Sequence, residues 1–221
     1  MTQLKIFGDS ILKGVKYNAE SRKYELYRAD RFSPLTERGF SVENRSRMGA
    51  TVKKGMRTVT NQMESMGPGS IALLEYGGND SDYDWAEISA DPKGEFLPHT
   101  PEKDFIAEYG QMITMLKKQG IRVVLSTLVP IDAPRYFAFI SRNLSQNNIL
   151  HWLGDTGMLY RWQEYYNRLV KGIAERFGCE LLDLRRAFLT DHRYESLLCA
   201  DGIHPTDRGH SLISSHICRY F

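Results

Sequence analysis

Five short apolar runs punctuate the chain, and stretches of helical period fill most of the space between them. The first run, Ile6-Phe7, stops at Gly8-Asp9-Ser10, and the second is Phe40 to Asn44. The third, Ile71-Ala72-Leu73-Leu74, is continuously apolar, as in strands covered on both faces. Ile121 to Leu128 and Cys179 to Leu184 supply the fourth and fifth. Among the helical stretches, Ile11, Leu12 and Val15 predict only a short helix, whereas Val52, Met56, Val59 and Met63 share one face. Phe105, Tyr109, Met112 and Leu116 share another, with Thr100-Pro101 placing proline at the first helical position and Gly120 closing the helix. Trp162, Tyr166, Leu169, Ile173 and Phe177 make a third stripe closed by Gly178, and a last helix runs from Pro205 towards Phe221. Alternation of this kind predicts an α/β protein with a parallel sheet covered by helices on both faces.

Three segments break the rhythm. Residues 17–38 are polar and dotted with aromatics, and Tyr17, Tyr24, Leu26 and Tyr27 around Asn18-Ala19-Glu20-Ser21 suggest a hairpin. Residues 81–100 carry Tyr83, Trp85 and Phe96 in a polar context, longer than most connections inside a compact domain. Residues 130–157 read as helical pieces forming an insertion or lid. No repeat, low-complexity tract or Gly/Ser linker occurs, so residues 1–221 are expected to form one domain with insertions near 17–38, 81–100 and 130–157.

Charge narrows the partners. The chain has 29 basic and 27 acidic residues, a net charge of +2, which is too near balance for an electrostatic footprint on nucleic acid or anionic lipid. Cys179, Cys199 and Cys218 are an odd set without metal-ligand spacing and read as free thiols in a reducing compartment. The N-terminus lacks the pattern of a signal peptide, and no apolar run is long enough to span a bilayer, so a soluble, cytoplasmic protein is expected. Nothing in the sequence sets an oligomeric state.

The chemistry starts at Ser10. In an open α/β sheet, ligands bind beyond the carboxyl ends of the strands, and a serine heading the next helix sits beside unpaired backbone donors. Gly8-Asp9-Ser10 alone also describes an ordinary turn with a helix cap. A serine nucleophile further needs a base, an orienting group for that base, and fixed donors for the developing oxyanion. His204 can serve as the base and Asp201, three residues earlier, as its partner. The backbone N–H groups of Ser10 and Gly49 and the side-chain N–H of Asn79 are the candidate oxyanion donors. Each has a plainer reading: His204 as a helix-entry residue, Asp201-Gly202 and Gly49 as turns, Asn79-Asp80 as an Asx turn. Their joint occurrence, in order and each at the expected place, is what points to a site.

The order Ser10, Gly49, Gly77-Gly78-Asn79-Asp80 and Asp201-x-x-His204 resembles the SGNH hydrolases, also called the GDSL esterase/lipase family, in motif blocks spanning nearly the whole chain. The resemblance implies a three-layer α/β/α sandwich around a flavodoxin-like five-stranded parallel sheet. It implies Ser10 as nucleophile, His204 as base, Asp201 as orienter, and Ser10, Gly49 and Asn79 as the oxyanion hole. Ile11 stands where the family's best-known motif has leucine, a change of packing rather than of chemistry.

The expected activity is that of a serine esterase working through an acyl-enzyme, without cofactor or metal, on a small-molecule ester. A short acyl group, acetyl on a carbohydrate or similar alcohol, is the preferred substrate class, because nothing resembles a long lipid-docking surface. An acyltransferase with the same machinery, a lysophospholipase or thioesterase, and a non-catalytic binding protein are the alternatives. Tyr83, Trp85, Tyr136, Phe137 and Trp152 are candidates to stack on a sugar or close over an acyl chain; packing of the insertions onto the body is the competing reading. Asp80, Asp82 and Asp84 alternate like the opening of a calcium loop, but Trp85 stands where the glycine is needed and Asp91 where the distal glutamate is. His99, His151, His192, His210 and His216 have no spacing that gathers a metal.

Overall fold

In the computed structural model, which describes residues 1–221, the first apolar run extends into β1 (Thr2–Gly8), the centre of the chain's organisation. β1 is flanked by β4 (Phe40–Asn44) on one side and β5 (Ile71–Glu75) on the other, followed by β6 (Arg122–Ser126) and β7 (Glu180–Leu182). All four pairings are parallel, giving the order β4-β1-β5-β6-β7. The chain therefore leaves β1 for one edge and then winds towards the other, so the gap between β1 and β5 is the topological switch point where such sheets bind ligands.

Alternate residues of the strands feed two cores. Phe7, Ala72, Leu74, Val123 and Leu125 pack under α3 (Val52–Thr60), α5 (Glu102–Lys118) and α8 (Gly157–Arg176). Leu4, Ile6, Leu73, Val124 and Leu182 pack under α1 (Ser10–Lys13), α2 (Ser33–Glu37), α9 (Leu184–Leu189) and α10 (Asp207–Tyr220). This is the three-layer α/β/α sandwich. Lys5 interrupts the first apolar run because its ammonium, though buried, reaches Glu43 at 2.9 Å and the side chains of Gln62 and Ser65.

Element ends differ from the sequence reading by local capping. Pro101 is the cap of α5 rather than its first residue, and Thr206, whose hydroxyl accepts from the Gly209 N–H, caps α10. The fifth strand is shorter than Cys179 to Leu184 because Asp183 caps α9 and turns Leu184 into its first residue. α8 starts at Gly157, ahead of its apolar stripe.

The interrupting segments also take shape. β2 (Val15–Asn18) and β3 (Lys23–Leu26) form an antiparallel hairpin with Tyr17 opposite Tyr24. It is tied to the body by His210 of α10, whose Nε2 lies 2.9 Å from the Val15 carbonyl and whose ring stacks on Tyr27. Burial pushes His210 down to about 4, so it is neutral and structural. Residues 81–100 contain a helix that the sequence reading leaves out, α4 (Trp85–Ala90), capped by Asp84. α6 (Ala133–Ile140) and α7 (Gln146–Leu153) join α4 and the start of α8 in a third apolar cluster of their own. No helix is long and apolar enough to cross a membrane.

Candidate active site

β1 ends at Gly8, and α1 begins two residues later because Asp9 caps it: Asp9 Oδ1 accepts from the Ile11 N–H at 2.8 Å. Ser10 is thereby the first residue of α1, where backbone N–H groups have no intrahelical acceptor. Gly14, at φ 91°, stops the helix after one turn. Ser10 is held at the end of the strand with its hydroxyl facing the loop that precedes α10.

That loop brings His204 to the serine. His204 Nε2 lies 2.9 Å from Ser10 Oγ, and His204 Nδ1 lies 2.6 Å from Asp201 Oδ2. The other oxygen of Asp201 accepts from the backbone N–H groups of Ile203 and His204, so the carboxylate organises its own loop. A proton on Nδ1, facing Asp201, would leave Nε2 free to accept from the Ser10 hydroxyl. Gly202, at φ 76°, is required here: a Cβ would lie 2.5 Å from the Tyr136 backbone nitrogen and 2.6 Å from the Asp132 carbonyl oxygen. This close approach docks the loop on the start of α6, where the Asp132 N–H donates to the Gly202 carbonyl. Tyr24 of the hairpin covers the imidazole, ring centroids 5.1 Å apart.

The exits of β4 and β5 supply the remaining residues. Asn79 Nδ2 donates to Asp9 Oδ2 at 2.9 Å and to the Ala50 carbonyl at 3.2 Å, placing its amide between the serine loop and the Gly49 loop. Gly49 has φ 66° and its N–H donates to no acceptor within the protein. Asp80 accepts from the Val52 N–H at the start of α3, whose cap is Thr51, and burial pushes its carboxyl up to about 6. Asp82 accepts from Trp85 Nε1 at 2.8 Å and the Tyr136 hydroxyl at 2.6 Å, and Asp84 caps α4. The alternating aspartates thus each serve a different local purpose.

A cavity of about 120 Å³ opens beside Ser10 and His204. Tyr83, Trp85, Tyr136 and Trp152 line it; Phe137 does not, and packs into the insertion's apolar cluster instead. The reason is helical geometry: successive residues of α6 point about 100° apart, so Tyr136 at the cavity turns Phe137 away from it. Tyr83 packs edge-on against Trp85 and Trp152 while also lining the space. The wall also includes residues that the sequence does not mark as site residues. Trp162 looks like part of the α8 stripe, but its indole N–H donates to the Ser81 carbonyl and its ring lines the cavity. Asp82 and Glu75 also line it, while no lysine or arginine does.

The family model of GDSL-like lipases/acylhydrolases matches residues 6–212. The chain belongs to the GDSL-like lipase/acylhydrolase family. As a GDSL hydrolase it acts on ester bonds. No curated protein sequence matches it significantly. Its fold is similar to that of a lipase/acylhydrolase from Enterococcus faecalis, at 17% identity and a TM-score of 0.61 over 100% of this chain and 95% of that one. It is also similar to the acetyl xylan esterase AlAXEase, at 20% identity and a TM-score of 0.64 over 99% and 98% of the two chains. A catalytic mutant of an acetylxylan esterase from Geobacillus stearothermophilus superposes at 20% identity and a TM-score of 0.65, over 99% and 93%.

Proposed function

We propose that this GDSL hydrolase is a serine esterase that removes short acyl groups through an acyl-enzyme on Ser10. The observation carrying the proposal is the unbroken hydrogen-bond chain Ser10, His204, Asp201 at the edge of the cavity. As Ser10 Oγ bonds to the ester carbonyl carbon, His204 Nε2 takes the hydroxyl proton, and Asp201 stabilises the resulting imidazolium. Collapse of the tetrahedral intermediate breaks the bond to the leaving oxygen, which receives the proton from His204. Water then attacks the acyl-serine with His204 again as base, releasing the acid and restoring Ser10.

The oxyanion rests on the N–H groups of Ser10 and Gly49 and on the Asn79 amide. Both N–H groups of Asn79 already have acceptors, so the amide reaches the substrate oxygen by releasing or sharing its longer bond to Ala50. Asn79→Ala is expected to lower kcat by about 10²- to 10³-fold with KM little changed, measured on 4-nitrophenyl acetate. Undiminished kcat would remove Asn79 from the oxyanion hole.

The cavity is somewhat smaller than the roughly 150 Å³ space that holds benzene in an engineered apolar core, which suits a short acyl group. The absence of lysine and arginine from its walls disfavours anionic esters, and aromatic rings beside the Asp82 carboxylate suit a hydroxyl-rich alcohol. Acetyl esters of carbohydrates fit both features and agree with the acetyl xylan esterases of the same fold. Across 4-nitrophenyl esters from acetyl to octanoyl, kcat/KM is expected to be greatest at the short end. A steady rise towards octanoate would overturn the short-acyl assignment.

A further inference from the structure

Two carboxyl groups lie together beneath the nucleophile, at the switch point of the sheet. Gly8 and Glu75 are register partners at the ends of β1 and β5, so Glu75 and Asp9 project from neighbouring strand ends. Each is only 2% exposed, and neither has a lysine or arginine partner. Gly8 makes the room, because a Cβ there would lie 3.0 Å from Glu75 Oε2. The Asp9 N–H makes a long, 3.4 Å bond to Glu75 Oε2, so the two buried acidic residues meet at the strand ends.

Two buried carboxyls so placed, with no lysine or arginine between them, call for a proton, since two buried anions repel strongly. The hydrogen bonds say which group carries it. Asp9 receives N–H donors on both oxygens, from Ile11 and from Asn79, which stabilise its anion. Glu75 receives only the long bond from the Asp9 backbone. We propose that the Glu75 carboxyl is a hydrogen-bond donor that positions Asp9, and through Asp9 both the Ser10 helix and the Asn79 amide. The inference rests on the serine-esterase reading above and assigns Glu75 no contact with the reacting atoms.

The surroundings support a retained proton. Burial, and then the charge of Asp9, hold Glu75 well above the usual carboxylate range. Besides Asp9, the groups facing it are Asp80 and Tyr76 from the exit of β5 and Tyr109 from α5, all neutral or anionic. The nearest cationic influences act on its neighbours: His204 when protonated on Asp9, and Arg47 on Tyr76. A carboxyl whose folded value is raised stabilises the fold below its ordinary value and loses that contribution as pH rises through the raised one. Ionisation of Glu75 as pH rises would therefore set two anions against each other at the base of the Ser10 loop.

The test compares Glu75→Gln and Glu75→Leu with the wild type in kcat and KM for 4-nitrophenyl acetate from pH 6 to 9.5, with thermal melting at each pH. The glutamine amide donates to Asp9 without titrating, so its kcat at pH 7 stays near wild type and the fall in kcat and melting temperature that rising pH brings in the wild type disappears. Leucine fills similar space without a donor, and kcat falls by about 10²-fold with KM unchanged, the scale of a displaced reacting group. A glutamine variant as impaired as leucine, or one that keeps the wild-type fall with rising pH, overturns the role. Ser10→Ala run alongside keeps the two readings apart: its loss of activity beside unchanged Glu75 variants overturns the positioning role and leaves the nucleophile standing.

Discussion

Ser10→Ala lowers kcat for a short-chain ester by about 10⁴- to 10⁶-fold, the largest effect expected of any single substitution in this protein. The size follows from what the hydroxyl does. Without Oγ no acyl-enzyme forms, and His204 is left to activate water from a position built to serve a side chain. The residual rate comes from the oxyanion donors and from binding, so KM should hardly move. Stability should hardly move either, because Asp9, and not Ser10, caps α1. Steady-state kinetics with a melting curve beside them check both halves of the expectation. A variant that keeps a tenth of the wild-type kcat would move the chemistry to another residue.

Asp201→Asn comes next, with an expected loss of about 10⁴-fold in kcat. The substitution is nearly isosteric, yet it replaces an acceptor of the His204 Nδ1 proton by an amide that can present N–H. The imidazole then favours the tautomer with its proton on Nε2, facing Ser10, and can no longer accept the hydroxyl proton. Asp201 is fully buried and its second oxygen accepts from the Ile203 and His204 N–H groups, so the asparagine carbonyl can keep the loop in place. A wild-type melting temperature together with the large fall in kcat would separate tautomer control from loop support. An unchanged kcat would show that Asp201 does not orient the base.

The parts of this picture that were legible in the sequence are those that strand ends and local turns dictate. The motif blocks could be placed because apolar runs ending in Gly-Asp-Ser or Gly-Gly-Asn-Asp mark strand exits, and parallel strands bring their exits to one edge. Asp201 and His204 are three residues apart, so their pairing is a local matter. The helix at Trp85–Ala90 was in principle readable from its own start signal, Asp84 followed by Glu87, but a polar aromatic stretch hid it.

What was not legible depends on pairing across the chain. Glu75 ends an apolar strand and gives no sign of meeting Asp9, 66 residues earlier; only the register of β1 on β5 brings them together. Tyr24 sits in a hairpin readable as a hairpin, but its place over His204 depends on how the hairpin docks on α10 through His210. Trp162 follows the helical stripe that buries α8, and its second role at the cavity arises because the insertions fold back over the start of that helix. Periodicity identifies the face a residue shares, not the surface that comes to lie against it.

The central claim is that Ser10 is a nucleophile activated by His204, and covalent capture tests it most directly. The intact protein is treated with a fluorophosphonate, and the modified residue is identified by mass spectrometry of its peptides, with His204→Ala and Ser10→Ala treated in parallel. A single adduct is expected on Ser10, forming far more slowly in His204→Ala and absent in Ser10→Ala. An adduct on a different residue, or labelling of Ser10 at an undiminished rate without His204, would contradict it.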